Sequence, residues 1–194
     1  MSGAEKLRLF LALPVPSEIK SALGTAQNDL RNLLAPRAAS WTKPGNMHLT
    51  LRFLGDVGSD QTEAMIASIT TATTAFGALP LVAERLGAFP DLRYPRVIWA
   101  WVHDGGDRLA ELHRRVVAAT DDFTQECAQE KFTGHITLAR VQQINRPQAE
   151  IIASFVKSAV NRRFGAWTAS HLELIRSELS PGGSRYTCLA RFSL

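Results

Sequence analysis

The chain has 194 residues, 45% of them hydrophobic, and 22 basic against 18 acidic side chains give a net charge of +4. That is enough apolar material for a real core in one large domain or two small lobes, and no apolar stretch approaches the roughly 18 residues that span a bilayer. Two cysteines, Cys127 and Cys188, without C-x-x-C spacing exclude a disulfide scaffold and a cysteine zinc site, and unpaired thiols fit a reducing, cytoplasmic setting.

The opening "MSGAEKLRLFLALPVP" holds a short apolar run broken by Pro14 and Pro16, so residues 7–13 read as a buried first strand rather than a leader. Ser17 can cap a helix whose apolar positions Ile19, Leu23, Ala26, Leu30 and Leu33 fall at helical spacing. "APRAAS" ends it, and "MHLTLRFLG" follows as an alternating strand. A second helix is predicted from about Ser59 to Phe76, with Met65, Ile69, Ala72 and Phe76 on one face. "LPLVAERLGAF" reads as a strand and "PDLRYP" as a turn-rich connector.

The second half repeats this plan. Residues 96–102, "RVIWAWV", are strand-like, and "HDGGD" turns into a helix carrying Leu109, Leu112 and Val116 on one side. "HITLARV" is again a strand. Asn145 offers an N-cap, with Pro147 near the helix start, ahead of Ile152, Phe155, Val156 and Ala159. The end, "SHLELIRSEL", "SPGGS" and "RYTCLARFSL", has the pattern of a hairpin. His48 lies 40 residues after Arg8, and His135 lies 39 after Arg96. Each interval runs strand, helix, polar-faced strand. The pattern predicts one domain, 1–194, with an internal duplication of lobe-like units at about 7–90 and 95–194. The expected fold class is α+β: bilobal, with two pseudo-symmetric lobes, antiparallel or mixed sheets and outer helices around a central cleft.

Successive strand side chains point to opposite faces, so His48, Thr50 and Arg52 are expected on one face and Leu49, Leu51 and Phe53 on the other. In the second copy His135 and Thr137 share a face. A pseudo-two-fold would gather two imidazoles and two hydroxyls around one small target. This set suits phosphoester cleavage without a metal. One neutral imidazole takes a proton from water while the other, protonated, gives one to the leaving oxygen. The threonine hydroxyls can bond non-bridging phosphate oxygens, where charge gathers. Arginine makes up 17 of the 22 basic residues, and its planar fork suits phosphate. No long basic run points to a polynucleotide groove, so short ligands or RNA ends fit better than duplexes.

With both His-x-Thr motifs, "RLFLALP" and "SELSPGGSRYTCL", the chain resembles the two-histidine (2H) phosphoesterase superfamily. Within it the chain is most similar to the RNA 2′,3′-cyclic phosphodiesterases, also called 2′-5′ RNA ligases or LigT-like proteins. The resemblance implies hydrolysis of a terminal 2′,3′-cyclic phosphate to a 2′-phosphate in a central cleft, and reversible 2′-5′ ligation. It implies no cofactor and no metal. By motif match His48 is the proton donor, His135 the proton acceptor, and Thr50 and Thr137 hold the phosphate. Arg140, five residues after the second histidine, matches an arginine of the family's site; strict alternation puts it on the core face, so a bulge is needed to bring it round. Relatives usually carry proline before the second histidine, whereas Gly134 here predicts a more flexible approach.

Partners implied are RNA ends or nucleotides bearing a 2′,3′-cyclic phosphate, with no membrane, acting on a monomer. Two other readings stay open: a phosphodiesterase for a small cyclic nucleotide or ADP-ribose cyclic phosphate, and a binding module that holds RNA ends without turnover. Phe10 or Trp41 could stack on a terminal base. Trp99 and Trp101 read as core residues, and His103, His113 and His171 as structural or exposed. "SPGGSR" lacks the lysine and following helix of a phosphate-cradling loop.

Overall fold

Alternating apolar side chains build the strands, and a curled sheet with helices on one face is the result. The computed structural model describes residues 4–127, 131–180 and 183–194. In chain order the elements are β1 (Lys6–Pro14), α1 (Ser17–Leu33), β2 (Ala39–Trp41), β3 (His48–Gly58), α2 (Thr62–Thr73), β4 (Leu79–Phe89), β5 (Val97–His103), α3 (Arg108–Thr120), β6 (His135–Val141), α4 (Arg146–Ser158), β7 (Arg163–Ala169), β8 (His171–Ser180) and β9 (Gly183–Ser193). The α+β class and the helix and strand order agree with the sequence reading, and β2 and β7 are additions. Ser17 is the first helical residue and Pro16 the N-cap, so the expected serine cap is not made. Asn145 does cap α4, in a reciprocal pair with Gln148. Pro181 and Gly182 of the "SPGGS" turn lie outside the described residues; Ser180 and Gly183 on either side pair across the β8–β9 hairpin.

The nine strands form one sheet in the order β7-β4-β5-β6-β3-β1-β8-β9, with β2 beside the end of β6. Each pairing is antiparallel. The two halves meet where β3 and β6 pair, through Leu49 and Ile136 alone. β4 lies beside β5 and β7, while β8 lies beside β1, so each half of the sheet draws on both repeats. The helices cross as well. α1, which follows β1, packs on β7 and α4 behind the far half, while α3, which follows β5, packs on α2 and β3. Leu9, Leu11, Leu13, Leu49, Ile98, Ala100, Ile136 and the inward helix residues form the core between sheet and helices. Leu33, expected on that inward face, is 54% exposed because it sits on the last turn of α1.

Beyond each His-x-Thr motif the register slips. β1 pairs Ala12 with Thr50 but Leu11 with Arg52, so Leu51 is an extra residue; β5 pairs Trp99 with Thr137 but Ile98 with Ala139, so Leu138 is extra. The second bulge is tied to α1. Buried Gln27 donates from Nε2 to the Leu138 carbonyl at 2.7 Å and the Thr42 carbonyl at 2.8 Å, and the Thr42 N–H also donates to Leu138 at 2.8 Å. Gln27→Leu keeps the packing volume and leaves the Thr42 carbonyl buried without that donor. It should cost about 1–3 kcal/mol in urea denaturation. Unchanged stability would show that the bulge holds without its tie.

Candidate active site

The open face of the sheet carries the polar half of each motif. At β1 and β3 this face holds Phe10, Ala12, His48, Thr50 and, past the bulge, Phe53. At β5 and β6 it holds Trp99, Trp101, His135, Thr137 and, past the matching bulge, Arg140. The antiparallel pairing of Leu49 with Ile136 sets His48 across from Thr137 and Thr50 across from His135. Each imidazole therefore neighbours the other motif's hydroxyl.

The bulges decide two expectations in opposite ways. Arg140 comes round to the side of His135 and is exposed, as a bulge was required to make it. Arg52 turns away: it is 5% exposed, and its Nη2 donates to Asp121 Oδ1 at 2.7 Å and to the Glu126 carbonyl at 3.1 Å. The expected shared face of Arg52 with His48 is thus corrected, because one inserted residue inverts alternation. Phe53 takes the vacated place and is 54% exposed. Arg52 instead ties β3 to the segment after α3, whose chain continues to His135.

Aromatic rings frame both histidines. His48 lies 4.8 Å from the Phe10 ring and 5.4 Å from Tyr186, and Phe10 and Tyr186 meet edge-on at 5.0 Å. Phe10 is only 3% exposed, so its ring is covered and supports His48 rather than offering a free stacking face. Trp41 packs on the main core beneath Arg31, away from such a role. His135 lies 5.1 Å from Phe89 and 6.1 Å from Trp99. Trp99 and Trp101, expected in the core, stand on the open face. A Cβ at Gly87 would come within 2.3 Å of the Trp99 ring, so glycine there lets the indole lie flat on β4.

Backbone carbonyls orient both imidazoles from two residues upstream. His135 Nδ1 is 2.7 Å from the Thr133 carbonyl, and Asn46's backbone bonds the His48 ring. A carbonyl accepts, so Nδ1 of His135 carries the proton and Nε2 is left as the basic atom. Asn46 is itself fixed to β9, its Nδ2 donating to the Ser184 carbonyl at 2.9 Å. Gly134 is no hinge: a Cβ there would sit 2.5 Å from the Val102 carbonyl oxygen and 2.9 Å from Leu109 Cδ2. The expected flexibility is replaced by tight packing that sets where β6 begins.

Burial holds both rings uncharged. His48 is pulled from 6.5 to about 4, chiefly by desolvation; the Asn46 bond opposes this, while the Lys20 ammonium and His135 add to it. His135 is also lowered, again mainly by burial, against the Thr133 bond and with Arg140. Lys20, Phe53, Phe89 and Tyr186 were not found from spacing. Tyr186 alone had a signal, lying in the "SRYTCL" stretch that carried the resemblance. His113 is buried and stacked on Phe132 at 4.2 Å, and His171 meets Ser170, so neither joins the site. Among the described residues no group of three His, Cys, Asp or Glu could hold a metal, and no helix is long and apolar enough to cross a membrane.

The buried neutral His48 has a consequence for acid stability. Falling pH protonates it in the unfolded chain near 6.5 but in the fold only near 4. Its contribution is complete above 6.5 and lost towards 4, by roughly 3 kcal/mol. Urea denaturation at both ends of that window should show His48→Gln losing less stability with acid than the parent by that order. Equal losses would mean that His48 is not held neutral.

Comparison with known proteins agrees with this geometry. The family model "LigT like Phosphoesterase" matches residues 13–99 and 101–186, with one His-x-Thr motif in each stretch. An RNA 2′,3′-cyclic phosphodiesterase of Thermus thermophilus is 31% identical over 97% of this chain and 90% of its own length. Another, from Methanothermobacter thermautotrophicus, is 27% identical over 97% and 100%. Among solved structures, TT0787 of Thermus thermophilus superposes with a TM-score of 0.78 at 28% identity, over 96% of this chain and 97% of that one. E. coli LigT complexed with 3′-AMP, at 23% identity and a TM-score of 0.76 over 98% and 99%, shares the fold. Two His-x-Thr motifs on adjoining strands of one such sheet, matched by the family model across both repeats, place this chain in the LigT-like phosphoesterase family of the 2H superfamily.

Proposed function

We propose that the protein hydrolyses RNA 2′,3′-cyclic phosphate ends to 2′-phosphates without a metal, from the cytoplasm and as a monomer, since one chain supplies both histidines. The observation that carries this reading is the meeting of the two motifs on one open face, with each imidazole fixed by a carbonyl two residues upstream. The names of the relatives support the substrate class.

The proposed step balances as follows. His135 Nε2 takes a proton from water, the water oxygen bonds to phosphorus, and the bond to O3′ breaks as His48 donates a proton to it. Phosphate stays on O2′. Thr50, Thr137 and Arg140 hold the non-bridging oxygens. Burial makes protonated His48 a minority form in the empty site, so the substrate's own negative charge is what raises its pKa. The base of the terminal nucleotide lies on the His48 side, against exposed Phe53 and Tyr186, and Phe10 acts through His48. Arg52 has no contact with substrate in this scheme; it positions the segment before His135. The same step run with a 5′-hydroxyl in place of water makes a 2′-5′ linkage and is reversible.

Turnover of a cyclic-phosphate oligonucleotide should persist in strong chelator; loss that added divalent metal restores would sink this scheme. Thr137→Val keeps the β-branched shape and removes one donor, and should lower turnover about 10²–10³-fold with the fold intact.

The two histidines separate on a substrate with sulfur at the 3′ bridging position, whose thiolate leaves without a proton. His48→Ala should lose roughly 10²–10⁴-fold on the oxygen substrate and recover much of it on the sulfur one. His135→Ala should stay slow on both. Rescue of His135→Ala instead would reverse the two roles.

A further inference from the structure

Hydrolysis asks only for water beside His135, yet that side of the site carries a built surface. Trp101 pairs with His135 across β5 and β6, so their side chains share the open face. His103, two residues along, stacks on Trp101 with ring centroids 4.2 Å apart and planes 19° from parallel. β4 inserts one extra residue here: Glu84 pairs with Trp101 and Leu86 with Ala100, leaving Arg85 between them with a left-handed φ of 51°. The bulge carries the Arg85 guanidinium over the Trp101 ring at 4.9 Å, where its side chain remains 53% exposed. Glu84 Oε1 lies 3.3 Å from Arg85 Nε and 3.5 Å from His103 Nε2. The Gly105 N–H donates to His103 Nδ1 at 3.1 Å, which places the proton of the neutral ring on Nε2, towards Glu84. A non-glycine residue at positive φ persists where its surroundings fix it, and here it fixes a cation over a ring.

We propose that Arg85, Trp101 and His103 form a stacking subsite for the nucleobase of an acceptor, a nucleoside or oligonucleotide end with a free 5′-hydroxyl. The proposal rests on the roles given above to His48 and His135. In an in-line displacement the attacking and leaving oxygens lie on opposite sides of phosphorus. The nucleoside that owns the cyclic phosphate is then on the His48 side, and an incoming nucleoside enters on the His135 side, where the ledge stands. The 5′-hydroxyl gives its proton to His135 Nε2 as its oxygen bonds to phosphorus; the O3′ bond breaks and His48 protonates it. The product is a 2′-5′ diester, and no other reactant is needed. Bases stack on aromatic and guanidinium planes without regard to sequence, so the ledge selects a nucleobase rather than a particular one.

The test follows both products in one reaction of the full chain with a dinucleotide 2′,3′-cyclic phosphate and a 5′-hydroxyl dinucleotide acceptor. Arg85→Gly removes the guanidinium at a φ that glycine tolerates, and Trp101→Ala removes the ring beneath. Each should lower the ratio of 2′-5′ joining to hydrolysis about tenfold, the worth of a lost base stack. Trp101→Phe should keep most of the ratio, and an acceptor whose first residue lacks a base should join to the parent as poorly as the full acceptor joins to the variants. Joining and hydrolysis falling together would overturn the subsite, since the residues would then only support His135. An unchanged ratio overturns it too, as does a parent that hydrolyses the cyclic phosphate but neither joins nor cleaves a 2′-5′ link. A parent inert on the cyclic phosphate would instead remove the hydrolysis reading beneath it.

Discussion

One inserted residue after each His-x-Thr motif governs what the site contains. Without it, alternation would turn Arg52 and Arg140 the opposite ways, with Arg140 in the core and Arg52 in the open. Leu51 and Leu138 absorb the slip because a leucine in the extra position still reaches the core, where both are buried. The same device yields different results in the two copies. In the first it exposes Phe53 and sends Arg52 inward to Asp121; in the second it exposes Arg140 and buries Ala139. A duplicated scaffold therefore carries an aromatic flank beside His48 and a cationic flank beside His135.

This explains what the sequence could and could not say. The period of two placed His48 with Thr50 and His135 with Thr137 correctly, because those pairs precede the slip. Arg140 exposed the limit of the rule: its match to a family position conflicted with strict alternation, and the conflict was the trace of the bulge. Arg52 gave no such warning, since on the unbroken pattern it agreed with the motif. β7 escaped because "RFGAWTA" has weak alternation with a glycine in the middle, at a φ of 141° and beneath Ile19. The assignment of β4 to the far half of the sheet, and of β8 and β9 to the near half, was also illegible. Pairing between distant strands leaves no local mark.

Electrostatics ties the paired rings to their target. Each imidazole gives one hydrogen bond to a backbone carbonyl and otherwise meets aromatic carbon, which favours the neutral form. Lys20 and Arg140 push in the same direction, each lowering one histidine. The empty site is thus rich in positive charge that its histidines do not share. An anion relieves this by meeting the cations and favouring protonation of a ring at once, so anion binding and proton uptake are coupled by the same burial that keeps the rings neutral.

What keeps two histidines from separate repeats in register is not the sheet seam. β3 and β6 are joined by the pairing of Leu49 with Ile136, too little backbone bonding to hold two halves against shear. The helices do that work by crossing. α1 leaves β1 in the near half and packs on β7 and α4 in the far one, and on its way Gln27 bonds the bulge carbonyl of β6. α3 leaves β5 in the far half and packs on α2 and β3 in the near one. Arg52 on β3 then reaches Asp121, just beyond the end of α3. Moving one motif relative to the other would pull both helices from their cores, at a cost set by buried leucines and valines rather than by one ladder bond. A chain that merely set two similar lobes side by side would lack that constraint, and its imidazoles would drift by the fraction of an ångström that proton transfer does not tolerate.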